Sequence, residues 1–438
     1  TLSALFGTLA VLFTWLLCHR LFDRRTALLA ASILAVFHFH VHMSRLALNN
    51  VADSFFLMAM LFFLDRGFSE RRRLDCLLAG MCIGISQYFY TSARLIPLVA
   101  MMVALSFAAT LLLGREPTAT SRIPMLGRWA GFLCWMVTGA ALAYLPLLAY
   151  YVDHPETFSS RIKMVSIFAS GWLEERQRNT GQSAVVLVAR NLWHTALVPF
   201  HVYPTGTYRG DPPFVGLPMA IPLGLGLALL TARAWQRRCV GLAVAYWGAT
   251  FAIALTIAPD TNRFTIVAPI FAVACGLTLD ALARIATELL GLGRRLVHAG
   301  LAVALVLLIG WSVTYYFQEH EQLALYGDRN TLVANDLARH LENLPPGTTV
   351  YFSGPPRMWY DGFPNLAFIA RETRGITVER PWDERSLVPK LDGPTVFVFL
   401  PERVGELDRV RSWFPNGETR ELSFDNGEPL FTVYRVDP

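Results

Sequence analysis

The sequence predicts a mostly α-helical, polytopic membrane domain followed by a small α/β domain. Three observations carry this. The 438 residues are 54% hydrophobic and only 16% charged, with a mean hydropathy of +0.40, a balance that soluble chains seldom reach. Apolar runs near the ~20 residues of a bilayer crossing recur up to about residue 317. Charge is sparse before Tyr316 and dense after it, so the domains are expected at residues 1–317 and 318–438.

The apolar runs give about ten spans, at residues 5–17, 27–41, 51–64, 76–90, 95–113, 129–151, 214–231, 240–257, 264–283 and 297–317. Arginine-rich loops at 19–25, 66–73, 115–128, 233–238 and 284–295 alternate with loops lacking such clusters, at 43–50, 91–94, 153–213 and 259–263. That alternation follows the positive-inside rule. It predicts a multi-pass protein of the plasma membrane, with the long loop 153–213 and the C-terminal domain extracytoplasmic. The chain opens on Thr1 and is apolar at once, without the charged n-region or cleavage site of a signal peptide. An even number of spans and an outer C-terminus predict a further helix and outer loop ahead of Thr1.

Composition also excludes classes. The net charge of +5 comes from short loops between apolar runs, so no nucleic-acid partner is expected. The cysteines (Cys18, Cys76, Cys82, Cys134, Cys239, Cys275) lie in or beside apolar spans, which argues against a disulfide framework. No CxxC or Cys/His spacing predicts zinc.

The loop 153–213 is about 60 residues, far beyond the usual connection. Its aromatics and cations, among them Phe158, Arg161, Trp172, Trp193 and Tyr208, are not those of a disordered tail. Surface-lying amphipathic helices are expected there, notably at 183–197, followed by a turn-rich strip at 204–213. Beyond residue 317, helices are expected at 329–344 and 403–413, and short strands at 348–352, 376–378, 395–400 and 430–436. Mixed strands and helices predict a small α/β domain. It has neither GxGxxG nor a Walker lysine, so no chemistry of its own is expected.

The candidate site lies where apolar spans meet the non-basic loops. Ser44-Arg45-Leu46-Ala47-Leu48-Asn49-Asn50-Val51-Ala52-Asp53 joins two of them. With its second half helical, Arg45, Asn49 and Asp53 fall four apart on one face. Such residues at a membrane boundary cost free energy unless something polar uses them. The expectation is a substrate-binding rim of Arg45, Asn49, Asn50 and Asp53; the plainer alternative is Asp53 as a helix cap. In Tyr88-Phe89-Tyr90-Thr91-Ser92-Ala93-Arg94, Tyr90 joins the substrate-binding set. Arg94 either binds phosphate or packs on an aromatic ring. In Pro259-Asp260-Thr261-Asn262-Arg263, Asp260 either pairs with Arg263 or leaves it for a lipid phosphate. Arg45, Arg94 and Arg263 at one membrane level favour phosphate and are expected to converge on one cavity. His38 and His42 have the spacing of a two-histidine metal site, but no third ligand follows. With His40 they read as interfacial residues, and no metal is expected.

These motifs, in this order, resemble the polytopic glycosyltransferases of the GT-C superfamily, in particular the protein O-mannosyltransferase and aminoarabinose transferase group. The resemblance rests on Ser44-Arg45 followed by Asp53 at the start of a span, the turn at 90–97 into the next span, and Asn262-Arg263 leading into an apolar helix bearing Pro269. It covers most of the membrane part, and an outer C-terminal domain also matches bacterial members. It implies an enzyme that takes a sugar from a polyprenyl-phosphate carrier and passes it to a protein or glycolipid acceptor on the extracytoplasmic face, in contact with membrane lipid and without a further cofactor. It implies Arg45, Asn49 and Asp53 near the sugar, and Arg94 and Arg263 at the carrier phosphate. Fixed guanidinium groups there would stabilise the charge that grows on the leaving phosphate. The family's catalytic carboxylate lies between the first and second membrane helices. This chain is expected to start at the second, so no catalytic residue is assigned to it. An O-antigen ligase or polymerase, which also uses a lipid-linked sugar and a large outer loop, is the rival enzymatic reading. A secondary transporter would carry internal repeats and broken mid-membrane helices; no convincing repeat is evident, and the polar residues gather at one face.

Overall fold

The computed structural model describes residues 2–46, 48–113, 119–200, 215–257, 261–320, 329–383, 386–391, 393–424 and 427–437, the side chains of 110–113, 119–126, 128 and 217 excepted. The chain divides into two compact units, Thr1–Ala324 and Leu325–Pro438.

The first unit is helical. Its order is α1 (Leu2–Leu21), α2 (Arg24–Val36), α3 (His38–Arg45), α4 (Val51–Glu70), α5 (Arg73–Ser86), a 3-10 turn at Thr91–Arg94, α6 (Leu95–Leu113) and α7 (Ala119–Asp153). Then come α8 (Pro155–Val165), α9 (Trp172–Thr180), α10 (Ala184–Leu197), α11 (Leu217–Ala232), α12 (Arg237–Ala254), a 3-10 segment at Thr261–Val267, α13 (Ala268–Glu288), α14 (Arg294–Thr314) and a π-helical turn at Tyr315–His320. Each expected span falls on helix. Among the described residues, five helices are long and apolar enough to cross a membrane, or up to seven if α2–α3, bent by 55°, and α11–α12, bent by 118°, each count as one span. The sequence count of about ten is higher for a physical reason. Helix α4 carries Asp53, Asp65, Arg66 and Glu70, and α5 has only 14 residues.

Helix α13 sits at the centre: 78% of the apolar window that includes it is buried, against 11% for those of α7 and α14. Helix α5 lies against α7 through glycines. A Cβ on Gly80 would stand 1.9 Å from the Met136 carbonyl oxygen, and one on Gly139 2.1 Å from that of Leu77, so only glycine permits this approach.

One end of the bundle is a belt of ion pairs. Arg20 reaches Asp65 at 3.0 Å and also Glu70; Arg237 reaches Asp65 at 3.2 Å. Asp280 takes Arg25 at 2.5 Å and Arg284 at 2.7 Å. Asp75, fully buried, takes Arg66 at 2.8 Å and Arg72 at 3.2 Å. Arginines of the basic loops thus neutralise carboxylates that would be costly unpaired. Within the long loop, α10 starts where expected, with Ser183 accepting the Val186 N–H as its cap. The strip at 204–213 lies outside the described residues.

The second unit contains α15 (Arg329–Glu342), β1 (Thr349–Ser353), α16 (Pro364–Ile369), β2 (Arg374–Thr377), β3 (Thr395–Phe399), α17 (Leu407–Trp413), β4 (Glu418–Ser423) and β5 (Pro429–Val436). They form one sheet in the order β2-β1-β3-β5-β4. Strands β1, β2 and β3 are parallel, and β5 runs antiparallel to β3 and β4. Val333, Leu337 and Leu341 of α15 bury their side chains with Val350, Phe352, Val396 and Val398 of the sheet. Strand β4 escapes a sequence reading because it is an edge strand in which every residue but Leu422 is exposed. Charged, non-alternating sequence is how such edges avoid pairing with other chains.

Candidate functional site

The polar stretch that opens α4 works as a brace between two arginine-bearing turns. Asp53 lies in the first turn of α4, where a carboxylate suits the helix dipole. It is fully buried and accepts a hydrogen bond from the Ser92 hydroxyl. Asn49 Nδ2 donates to the Phe89 carbonyl at 2.7 Å. These two contacts fix the turn Thr91–Arg94. On the other side, Asn50 Nδ2 donates to the Asn262 carbonyl at 3.5 Å, and the Ser54 hydroxyl donates to the Thr265 carbonyl. These contacts fix the segment Thr261–Val267, which carries Arg263.

The two turns border one cavity of 360 Å³, together with α6, α8, the Val165–Phe168 stretch and the end of α12. Arg94, Arg161 and Arg263 all line it. The remaining wall is largely apolar, from Leu95, Leu98, Ile162, Val165, Ile253 and Ile266, and no carboxylate is among the described residues that line it. Leu98 and Phe168, at its edge, are 54% and 53% exposed, so it opens on the bundle surface. Arg94 Nη2 donates to the Phe158 carbonyl at 2.7 Å, and its guanidinium lies 4.5 Å from the Phe158 ring centroid. That pair pins α8, and Arg161 with it, at the cavity wall. The far end of α8 is tied to α12: the Ile257 N–H donates to the Val165 carbonyl at 2.9 Å, and the Ile167 N–H to Leu255 at 3.1 Å. Arg263 donates from Nη1 to the Thr256 hydroxyl in the same strip. Three cations gathered in a largely apolar groove suit an amphiphile with an anionic head: the groove takes the apolar part, and the guanidinium groups can bind the head through charge-assisted hydrogen bonds.

The structure therefore brings Tyr90, Arg94 and Arg263 to one cavity. Arg45, Asn49, Asn50 and Asp53 do not line it. Arg45 is exposed at the end of α3, 5.5 and 5.3 Å from the ring centroids of Tyr316 and Phe317, a cation–π arrangement. Asp260 lies outside the described residues. His38, His40 and His42 are all buried among the helices. His40 Nε2 lies 3.2 Å from the Gly7 carbonyl, and His42 Nδ1 3.2 Å from the Tyr316 hydroxyl. Helix α3 is bent 55° from α2 at Phe37, and its His38 and His42 meet Tyr315 and Tyr316 in the turn that follows α14. Among the described residues no group of three His, Cys, Asp or Glu side chains could hold a metal ion. Arg161 is the lining cation that sequence reasoning did not select. Its signal was Phe158, three residues earlier on the same amphipathic helix.

Residues 1–138 match the sequence model of the dolichyl-phosphate-mannose-protein mannosyltransferase family. Among solved structures, ArnT from Cupriavidus metallidurans in the apo state is similar over 100% of this chain and 84% of its own, with a TM-score of 0.56 and 13% identity. The Archaeoglobus fulgidus oligosaccharyltransferase in its apo form is similar over 87% of this chain and 53% of its own, with a TM-score of 0.44 and 15% identity. No curated protein matches the chain by sequence. The likeness to ArnT shows the fold, a helical unit with a small C-terminal sheet domain, and the match of residues 1–138 to the mannosyltransferase family model agrees with the resemblance drawn from the sequence.

Proposed function

We propose that this integral membrane protein is a glycosyltransferase that uses a polyprenyl-phosphate-linked sugar, held with its phosphate among Arg94, Arg161 and Arg263. One observation carries the reading: three arginines from three separate segments line one largely apolar cavity. The match of residues 1–138 to a mannosyltransferase family and the ArnT-like fold support the class of reaction. In the step proposed, the bond between the sugar's anomeric carbon and the phosphate oxygen breaks. The phosphate leaves with the electron pair, and an acceptor hydroxyl or amine attacks the same carbon and passes its proton to the departing phosphate or to solvent. Fixed guanidinium groups stabilise the charge that grows on the leaving group, and do so better in a groove poor in water. Tyr90 borders the sugar end. Asp53, buried and engaged with Ser92, holds the Arg94 turn in place rather than touching substrate. The acceptor is a protein or glycolipid on the extracytoplasmic side, the side to which the arginine pattern of the loops assigns this cavity.

Photo-crosslinking tests the reading. A polyprenyl phosphate with a photoreactive group near the phosphate should label α6, α8 or the end of α12. The same probe without phosphate should not. Equal labelling by both, or labelling confined to other helices, contradicts the assignment.

A further inference from the structure

A second groove lies at the opposite end of the helical bundle, between α2 and α14. Its volume is 400 Å³, and it is lined by Arg24, Arg25, Leu28, Leu29, His298, Leu301, Ala302 and Leu305. We propose that it binds a single anionic glycerophospholipid, with the head phosphate at Arg24 and His298 and an acyl chain against the leucines.

The placement follows from chain direction. Helix α2 starts at Arg24 and leads through α3 towards the Asn49–Asp53 brace, so Arg24 is at the end away from the arginine-lined cavity. Helix α14 starts at Arg294 and ends at Tyr315 and Tyr316, beside His38 and His42 of α3. His298 is thus at the same end as Arg24. This end carries the belt of ion pairs, and its nearest carboxylates are already engaged: Asp280 with Arg25 and Arg284, and Asp23 with Arg284. Arg24 is exposed and has no ion pair among the described residues. Arg294 and Arg295 open α14 one turn before His298, also exposed and without an ion pair among the described residues.

Charge complementarity selects the occupant. The groove has a cationic end, and its walls continue along two apolar helices, one of them α14, whose apolar window is only 11% buried. An acyl chain can lie against Leu28, Leu29, Leu301 and Leu305 while its phosphate stays at the polar end. Basic pockets between membrane helices bind anionic lipid head groups on these grounds. Such a lipid would hold α14 against α2, a pair of helices in which α14 is otherwise weakly buried.

The test is native mass spectrometry of the full chain released from detergent. Phosphatidylglycerol and phosphatidylcholine of the same acyl length are added in equal amounts. The expected result is retention of one phosphatidylglycerol in preference to phosphatidylcholine. Arg24→Gln should lower that preference about fivefold, while Arg24→Lys should keep most of it. Leu301→Trp, which fills the groove, should lower retention of both lipids. Arg73→Gln, a change at another basic loop, should leave the preference intact. Glycerol-1-phosphate should not displace the lipid; displacement at equal concentration would mean that the groove takes free phosphate and would overturn the proposal. Equal retention of the two lipids by the unaltered chain would overturn it too, as would an equal loss of preference in Arg73→Gln.

Discussion

Ser92, in the turn that precedes α6, donates its hydroxyl proton to the carboxylate of Asp53, fully buried in the first turn of α4. The bond spans 39 residues of sequence and sets where Arg94 stands. Replacing Asp53 with alanine leaves Ser92 without its partner and should cost about 1–3 kcal/mol of stability. Asp53→Asn keeps an acceptor for the Ser92 hydroxyl and should stay close to the parent. The thermal unfolding midpoint of the purified protein reads both. If Asp53→Asn abolished sugar transfer while leaving the midpoint unchanged, the carboxylate would act on substrate and the brace assignment would be wrong.

Arg161 belongs to the cavity although it sits on a separate, exposed helix. Arg161→Ala should weaken binding of a polyprenyl phosphate about tenfold, the loss of one charge-assisted contact. Phe158→Ala should weaken it less, because it removes the ring beside Arg94 but keeps the backbone carbonyl that accepts from Nη2. Titration of a fluorescent polyprenyl phosphate into detergent-solubilised protein measures this. Unchanged affinity in Arg161→Ala would remove that residue from the phosphate site.

The alternation of arginine-rich loops makes a topological prediction. With Cys134, the exposed cysteine, replaced by serine, Thr180→Cys on α9 should react with an impermeant maleimide in intact cells, and Gln236→Cys just before α12 should not. The reverse pattern would invert the protein in the membrane and place the arginine cavity on the cytoplasmic side.

The C-terminal unit has its own apolar core, so residues 325–438 should fold as a fragment with cooperative unfolding and no transfer activity. His340 adds a pH dependence. Burial first, and the nearby Arg420 and Arg435, hold its imidazole below the usual value of 6.5. The unfolded chain therefore binds a proton more readily than the folded one. Stability should be complete above pH 6.5 and decline as pH falls below it. His340→Gln should flatten that decline, as read by urea unfolding at several pH values. An unchanged slope would mean that other groups cause it.

Much of the architecture was legible in the sequence because it rests on local patterns. Apolar runs marked the helices, and β-branched and aromatic residues marked β1, β2, β3 and β5. Strand β4 was not legible, since Glu418, Thr419, Arg420 and Glu421 are exposed on an edge and carry no alternation. The Asn49–Asp53 stretch was visibly polar, yet its partners (Phe89, Ser92, Asn262) come from two other segments, which spacing alone cannot reveal. Arg161 was one cation among several in a long loop. Only the Arg94–Phe158 contact and the ties between α8 and α12 give it a position. The surroundings of the histidines were not legible either, since their partners Gly7, Tyr315 and Tyr316 come from distant segments.

The most direct test of the account is the affinity of the purified protein for a polyprenyl phosphate, compared among the parent, Arg94→Ala, Arg263→Ala and Arg263→Lys. If the cavity holds the carrier phosphate, each alanine variant should bind about ten- to a hundredfold more weakly, from about 1.5–3 kcal/mol of lost charge-assisted bonding. Arg263→Lys should recover only part of that, since lysine cannot hold phosphate in a bidentate fashion. Unfolding midpoints should stay near the parent's. Parent-like affinity in both alanine variants, with the fold intact, would contradict the claim that these arginines bind the carrier.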